Sequence, residues 1–499
     1  MLLAMQILIS IINAVLVCAL AVKLVHVLQL EGYRFRALVS WIFDIRQTYL
    51  VRLFTLSLLG FGSAFAIYIF SPGLWAACGL IVYLTFGILL LYLILRTKSK
   101  VPLKFTARVI RLFIVIAILS GGLSYLLAQA GFQYVPLLAT LLAGVVFLSH
   151  AICFPIEWLI KRIYIAKAKR KLFSPEYSKL IRIGITGSYG KTSCKNILSA
   201  MLAIKYNVAI SPASYNTPMG FCKTINESLS LEHEILIMEM GMRYRGDIKM
   251  MSRLFRPHHG ILTSVGKAHL ETMKSIDNIR KEKLELINAL PEEGFRVVGD
   301  DVLIKDHVKD IIVSDIGCTF TYKDIIFKTK LLGEHNIKNI VICAMMAENL
   351  GVTIKKIASA VTELEPPMHR LELIKSVNGV FILDDSYNAS PDGTVAALET
   401  LKLFKGKKVV MTPGMVELGK RASEENFKFG YRMASVADNV IIVNELNKQM
   451  IQDGLLAGGM AAENIICVKT LDDAKLAYGS ILKSGDVLLI SNDLPDNYA

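Results

Sequence analysis

Ile181-Arg182-Ile183-Gly184-Ile185-Thr186-Gly187-Ser188-Tyr189-Gly190-Lys191-Thr192, running on into Ser193-Cys194-Lys195-Asn196-Ile197-Leu198-Ser199-Ala200-Met201-Leu202, reads as a strand, a tight glycine loop and a helix. Such a loop aims successive backbone N–H groups into a concavity. The helix behind it adds the positive end of its dipole, so phosphate oxygens are held there. Lys191 is placed to reach the terminal phosphates of a nucleotide and Thr192 to ligate Mg²⁺, with Gly187, Ser188, Gly190 and Ser193 completing the cradle. Only two residues separate Gly187 from Gly190, which is shorter than the usual phosphate loop. A plain strand-to-helix turn therefore stays open as the alternative at this point.

Outward from the loop, composition divides the chain. Its 499 residues exceed what one core serves, and a hydrophobic fraction of 53% with a mean hydropathy of +0.48 is too apolar for a wholly soluble protein. The formal charge of +14 sits entirely in residues 1–171, where 17 Lys and Arg face only Glu31, Asp44 and Glu157. Residues 172–499 carry 39 basic and 39 acidic groups, a balance that argues against nucleic acid as a partner. The eight cysteines form no Cys-x-x-Cys pair and read as reduced, buried thiols.

Residues 1–22 are uncharged and long enough to span a bilayer. Ala19-Leu20-Ala21 imitates a signal-peptidase site, but no positive segment precedes the apolar stretch, which favours an uncleaved anchor. Four further apolar stretches lie near residues 53–71, 74–95, 112–129 and 135–157, and none contains Lys or Arg. The cations collect near residues 34–52, 96–111 and 161–171, whereas the turns around Pro72-Gly73 and residues 129–134 have none. Positive loops face the cytoplasm, so five spans with the N-terminus outside put everything after residue 160 inside, where ATP is available. This is the expectation of a multi-pass protein of the cytoplasmic membrane. Gly60, Gly62, Gly121 and Gly122 would permit close helix packing or face lipid. Glu157, one turn before Lys161, reads as an interfacial ion pair rather than a proton relay.

Past residue 171 apolar strands alternate with helical segments, the pattern of a parallel sheet flanked by helices. Glu234-Ile235-Leu236-Ile237-Met238-Glu239-Met240-Gly241 reads as a buried strand with Glu239 near its C-terminal end, where open α/β sheets bind ligands. A carboxylate there suits Mg²⁺, and a salt-bridged edge residue is the alternative. The next strand, from Gly260, leads to His269 at the same edge. The helix of residues 275–290 carries Arg280-Lys281-Glu282-Lys283-Leu284-Glu285, by charge pattern an ordinary solvated face. From Val380 the alternation restarts with apolar runs at 381–383, 409–411, 440–443, 465–468 and 487–490. That is a second doubly wound domain.

Five motifs together resemble the Mur ligase family: the loop Thr186 to Ser193, Glu239-Met240-Gly241, Ala268-His269-Leu270-Glu271, Gly333-Glu334-His335-Asn336-Ile337-Lys338-Asn339, and Leu383-Asp384-Asp385-Ser386-Tyr387-Asn388-Ala389-Ser390-Pro391. The last is similar to the signature of the branch that adds D-alanyl-D-alanine. The resemblance covers about residues 175–499 and implies an ATP-dependent amide ligase working through an acyl phosphate with two Mg²⁺ ions. It implies that Lys191 and Thr192 serve the phosphates and Mg²⁺, and that Glu239 and His269 are metal ligands. Lys283 falls where the family carries a carbamylated lysine. Asn339, with His335 and Asn336 nearby, matches the adenine contact, Arg370 an arginine reaching toward the phosphates, and Asp385 the ribose contact. Asn388 and Ser390 would line the interdomain cleft, and residues 411–419 resemble a loop facing the incoming amine.

The expected fold is thus an N-terminal α-helical membrane region of about five spans (residues 1–171), a central phosphate-loop α/β domain with a mainly parallel sheet (172–370), and a C-terminal Rossmann-like domain (371–499). Residues 295–331 read as a linker shorter than the family's. The membrane spans stand where the family has a soluble domain for the uridine-nucleotide sugar, and the tail Ser491 to Ala499 lacks that branch's basic segment. The carboxylate partner is therefore a small-molecule or lipid-linked substrate and the amine an amino acid or dipeptide. A membrane ligase for another envelope polymer, similar to poly-γ-glutamate synthases, is the alternative. An ATP-driven transporter is a further one, for which the spans offer no series of buried charges. The topology predicts that a cysteine engineered at Gly73 reacts with an impermeant thiol reagent from outside the cell and one at Ser99 does not; the reverse pattern would overturn it.

Overall fold

The computed structural model describes residues 2–42, 102–212, 215–387, 389–416 and 418–492, together with 80–95 and scattered positions between 55 and 69. The chain forms two compact bodies, one of residues 1–162 and one built on residues 163–494.

In the first body three helices are long and apolar enough to cross a membrane: Leu2–Leu30, Ala107–Ala130 and Leu142–Leu172. The expectation of five spans is corrected to three among the described residues. The stretch near 53–71 falls largely outside them, and that near 74–95 is described only as the helix Leu80–Leu95, 16 residues long. Leu2–Leu30 packs along Ala107–Ala130, with Leu16, Val17, Leu20 and Leu24 meeting Leu112 and Ile116 in one buried cluster. Some buried polar groups here find partners on neighbouring helices. Asn13 Nδ2 donates to Ser124 Oγ at 2.7 Å. Gly121 lets its helix approach Ala14, whose Cβ lies 3.8 Å from where a Gly121 Cβ would sit, whereas Gly122 faces open space. Glu157 does not pair with Lys161. It accepts from Arg111 Nε at 2.8 Å and stands 3.4 Å from Arg108 Nε, because two guanidiniums on the neighbouring helix outcompete a lysine on its own.

Among the described residues the second body holds 14 strands. The first sheet contains β1 (Ile181–Thr186), β2 (Val208–Ile210), β3 (Ile235–Met240), β4 (His259–Leu262) and β5 (Arg296–Val298), all parallel in the order β2-β3-β1-β4-β5. Both faces are covered, which is why these strands read as near-continuous apolar runs. Ile183, Ile185, Ile235 and Ile237 join a core with the helices Lys191–Leu202 and Glu334–Asn349, while Leu236, Met238 and Met240 face Phe221, Phe255 and Leu286. Gly184 in β1 is held to its size, because a Cβ there would lie 2.7 Å from Leu286 Cδ1 of the helix Ile276–Asn288.

Residues 295–331 are not a bare linker. Besides β5 they form an antiparallel sheet of β6 (Val308–Ser314), β7 (Gly317–Tyr322) and β8 (Ile325–Thr329), whose Phe320, Tyr322 and Phe327 enter the same core as Ile183. The second large sheet runs β13-β12-β11-β14-β10-β9, built from β9 (Glu372–Lys375), β10 (Phe381–Asp385), β11 (Lys408–Thr412), β12 (Asn439–Val443), β13 (Ile465–Val468) and β14 (Val487–Ser491). Only β9 is antiparallel, and it adds an edge the alternation pattern did not reveal. β10 and β11 are consecutive in sequence yet flank β14, which the chain reaches last, returning from the edge strand β13 to the place between them, so that Asp385 at the carboxyl end of β10 lies beside Ser491 of β14.

Candidate functional site

The loop after β1 is fixed before any side chain acts. A Cβ on Gly187 would lie 1.8 Å from Thr263 Oγ1, so only glycine allows this contact with the segment after β4. Thr263 Oγ1 donates to the Tyr189 carbonyl, Ser188 N to Ser264 O at 2.8 Å, and Gly266 N to Ser188 Oγ at 2.8 Å. Gly190 is left-handed at φ 76°, which an L side chain adopts rarely, and its missing Cβ leaves room for Asn339 Oδ1. The helix Lys191–Leu202 begins at once, so its free N–H groups open into the loop.

Lys191 Nζ bonds the carbonyls of Gly187 at 2.8 Å and Ser188 at 3.3 Å, spanning the cradle it belongs to. Thr192 Oγ1 donates to Glu239 Oε2 at 2.9 Å, and Asn216 Nδ2 to Glu239 Oε1 at 3.3 Å. Glu239 is 2% exposed. Gly241 makes room for Asn216, whose Cγ would lie 2.8 Å from a Cβ at that position. Lys195 Nζ stands 3.7 Å from Glu239 Oε2 and donates to the Ser211 carbonyl at 2.8 Å. Ser193 follows Thr192 in the first helical turn, half-buried.

Lys283 corrects a reading of its helix as a solvated face. Glu282 and Lys283 are buried, and Glu285 pairs with Lys249 instead. Glu282 accepts from Gly246 N and Ile248 N at 2.8 Å each. Lys283 has no hydrogen-bond or ion-pair partner among the described residues. Burial, reinforced by the Lys191 charge, pulls its ammonium well below the ordinary lysine range. Lys191 is likewise lowered, first by burial, with Arg370 adding to the effect and Glu239 opposing it.

His269 precedes the short helix Leu270–Met273 in the left-handed region, at φ 62°. Among the described residues no three His, Cys, Asp or Glu side chains gather in one place. Thr192 and Glu239 are brought together by their hydrogen bond. The donor set still fits Mg²⁺: a hydroxyl and a carboxylate, both oxygen ligands, with room for phosphate oxygens to supply the rest.

From the second sheet, Arg370 stacks over the Tyr387 ring at 4.1 Å and lies close enough to bear on both Lys191 and Asp385. It is flanked by His369 and Leu371, both left-handed at φ 60° and 52°. His369 Nδ1 contacts Asp384 Oδ2 at 2.7 Å, and Asp384 also accepts from Ser386 Oγ at 2.6 Å. Ser390 Oγ caps the helix Pro391–Leu401 by accepting from Gly393 N. Asn388, expected in the cleft, and Glu417, in the loop of residues 411–419, lie outside the described residues.

Asn339 lies on the helix Glu334–Asn349. It is buried against Gly190 and donates to Asn336 Oδ1 at 3.1 Å, while Asn336 Nδ2 donates to the Leu332 carbonyl at 2.8 Å. His335 is exposed on the first turn of that helix. Two contacts tie the loop region to the second sheet. Lys267 Nζ meets Glu425 Oε1 at 2.7 Å, and Gly266 gives way to Tyr189 and Asp392 together. Lys195, Asn216, Lys267 and Tyr189 went unsingled in the sequence. Only Lys195 left a signal, its i,i+4 spacing from Lys191.

The arrangement defines a class: a nucleotide-phosphate loop on one α/β domain, facing a Rossmann-like sheet that brings an arginine and a carboxylate toward it. Comparison with known proteins narrows this further. Residues 185–347 match the Mur ligase middle domain, and residues 369–492 the Mur ligase glutamate ligase domain. The chain belongs to the Mur ligase family. It is 32% identical over 259 residues to a UDP-N-acetylmuramoyl-tripeptide--D-alanyl-D-alanine ligase of Bacillus subtilis, covering 48% of this chain and 56% of that one. It is 28% identical to the protein of the same name from Mycobacterium tuberculosis, covering 62% and 69%. It spans only 56% and 60% of the first two such relatives. The MurF ligase of Thermotoga maritima, solved in complex with ADP, superposes with a TM-score of 0.59 at 26% identity, over 67% of this chain and 80% of that one. MurF of Acinetobacter baumannii, at 22% identity and a TM-score of 0.58 over 66% and 76%, shares the fold.

Asp385 offers a test in solution. Burial pushes its carboxyl up to about 7 against the opposing pull of Arg370. A carboxyl raised above its unfolded value is a burden on the folded state that grows as pH rises from about 4 through about 7. Asp385→Asn should therefore gain in melting temperature relative to the wild type between pH 5 and pH 8; a constant difference across that range would refute the assignment.

Proposed function

We propose that this chain is an ATP-dependent amide ligase that joins a carboxylate carried at a membrane to an amino acid or dipeptide amine. The observation that carries this is the convergence of Lys191, Thr192 and buried Glu239 at one sheet edge, with Arg370 and Asp385 coming from the second sheet. The names of the relatives support amide formation, with D-alanyl-D-alanine as the amine that comes first to trial.

In this reading the γ-phosphoryl group of ATP passes to the substrate carboxylate, and ADP leaves. The amine then attacks the acyl carbon, the C–O bond to phosphate breaks, and the amine proton goes to solvent or a base. Mg²⁺, when bound, neutralises charge on the transferring phosphoryl group. The chain's own residues hold the pieces: the loop N–H groups and Lys191 cradle phosphates, Thr192 and Glu239 offer metal ligands, Arg370 meets the charge from the opposite side, and Asp385 faces the ribose. Positioning of this kind supplies much of the rate.

Three helices long and apolar enough to cross a membrane favour a lipid-linked carboxylate, as in a ligase for an envelope polymer. A transporter is less well supported, since the acid Glu157 is already engaged by Arg108 and Arg111. ATP turnover by the purified full chain should require a carboxylate and an amine together, and Lys191→Ala should lower it by at least about 10²-fold. Turnover indifferent to both substrates would end the ligase reading.

Lys283 separates a ligase of this family from a generic ATPase. A neutral amine, which burial favours here, adds to CO₂ to give a carbamate and a proton, turning a cationic site into an anion able to bridge metal. Lys283→Ala should lose amide formation severely and regain part of it when a short carboxylic acid is added. Near-normal activity of that variant would discard the carbamate.

A further inference from the structure

Lys195 is a cation that the phosphate-loop reading does not use. It lies one turn beyond Lys191 on the same helix and is 2% exposed, as is Glu239. Its ammonium, 3.7 Å from Glu239 Oε2, is the only one within ion-pair distance of that carboxylate among the described residues. The other groups on Glu239, Thr192 Oγ1 and Asn216 Nδ2, are neutral dipoles. A buried carboxylate left without a countercharge is strongly destabilising.

The lysine is also held where it is. It donates to the carbonyl of fully buried Ser211, whose Oγ accepts from Glu239 N at 3.3 Å and whose own N–H bonds Ile237 O at 3.1 Å. One residue thus anchors both the cation and the strand end that carries the acid. The side chain cannot drift without breaking a buried hydrogen bond.

We propose that Lys195 is a positioning residue that stands in the electrostatic place of a divalent cation beside Glu239 when none is bound, keeping that carboxylate aimed. The proposal rests on the nucleotide reading for the metal but not for the lysine. Its consequence is a site that does not collapse between turnovers. Mg²⁺ would then meet an oriented ligand, and the countercharge it brings would relieve the dependence on Lys195.

The test is the melting temperature of the full chain in detergent, with and without Mg²⁺ and ADP, for wild type, Lys195→Met, Lys195→Arg, and Lys195→Met combined with Glu239→Gln. Lys195→Met should melt lower than wild type when empty and be rescued by Mg²⁺–ADP, so that its ligand-induced rise exceeds the wild-type rise by about twofold or more. Lys195→Arg should stay near wild type in both states. Removing charge and countercharge together should restore the empty protein, because the cost belongs to the unpaired carboxylate. An equal loss with and without ligand would make Lys195 a mere staple to Ser211 and overturn the proposal. So would a double variant no more stable than Lys195→Met, or one that fails to fold alongside it. If wild type shows no rise with Mg²⁺–ADP, the nucleotide reading fails, while the empty double variant still decides the role of Lys195.

Discussion

A charged carboxylate buried at the edge of a parallel sheet is the constraint on which the second body depends. Glu239 is the penultimate residue of β3, opposite Ile185 of β1, so the sheet's own register sets it near the loop that β1 delivers. Everything around it answers the cost of that burial: a threonine hydroxyl from the first helical turn, an asparagine admitted by Gly241, and a lysine tied to the strand end. The covering of both sheet faces then becomes a condition of function, since water reaching the edge from below would screen the very charges the site collects.

The backbone shows the same priority. His269, His369 and Leu371 all occupy the left-handed region without being glycine. Such conformations cost energy that the surrounding fold must hold in place, and they concentrate where a side chain has to point in one direction. Here they lie at or beside the residues that the loop faces. Arg370, between two of them, is presented outward from the start of β9 and steadied by the Tyr387 ring.

The parts of the fold legible in the sequence were those where one physical cause acts alone. β1, β3 and the five parallel strands of the second sheet announced themselves as unbroken apolar runs because helices cover both their faces. β6, β7 and β8 did not, since β6 is largely exposed, β8 alternates, and their core contribution comes in Phe320 and Phe327 rather than in a run. β9 is an antiparallel edge with half-polar faces. Glu157 looked toward Lys161 because sequence spacing sees only one helix, whereas its partners come from another. Lys283 looked solvated for a related reason: charge pattern reports the neighbours along the helix and is blind to the loop and strand packed over it. Within the site the glycines and Lys191 were readable from spacing, but Asn216 arrives from a loop with no pattern at all.

The pairing of Lys267 with Glu425 is open to screening by salt. Lys267 sits two residues before His269, and Glu425 is 4% exposed on the helix Ala422–Ala434 of the second sheet. Parting the two sheets means pulling a carboxylate out of contact with its cation and letting water in. That ion pair is one of the two contacts tying the loop region to the second sheet, so ionic strength bears on how firmly the two sheets hold together without acting on the phosphate loop itself.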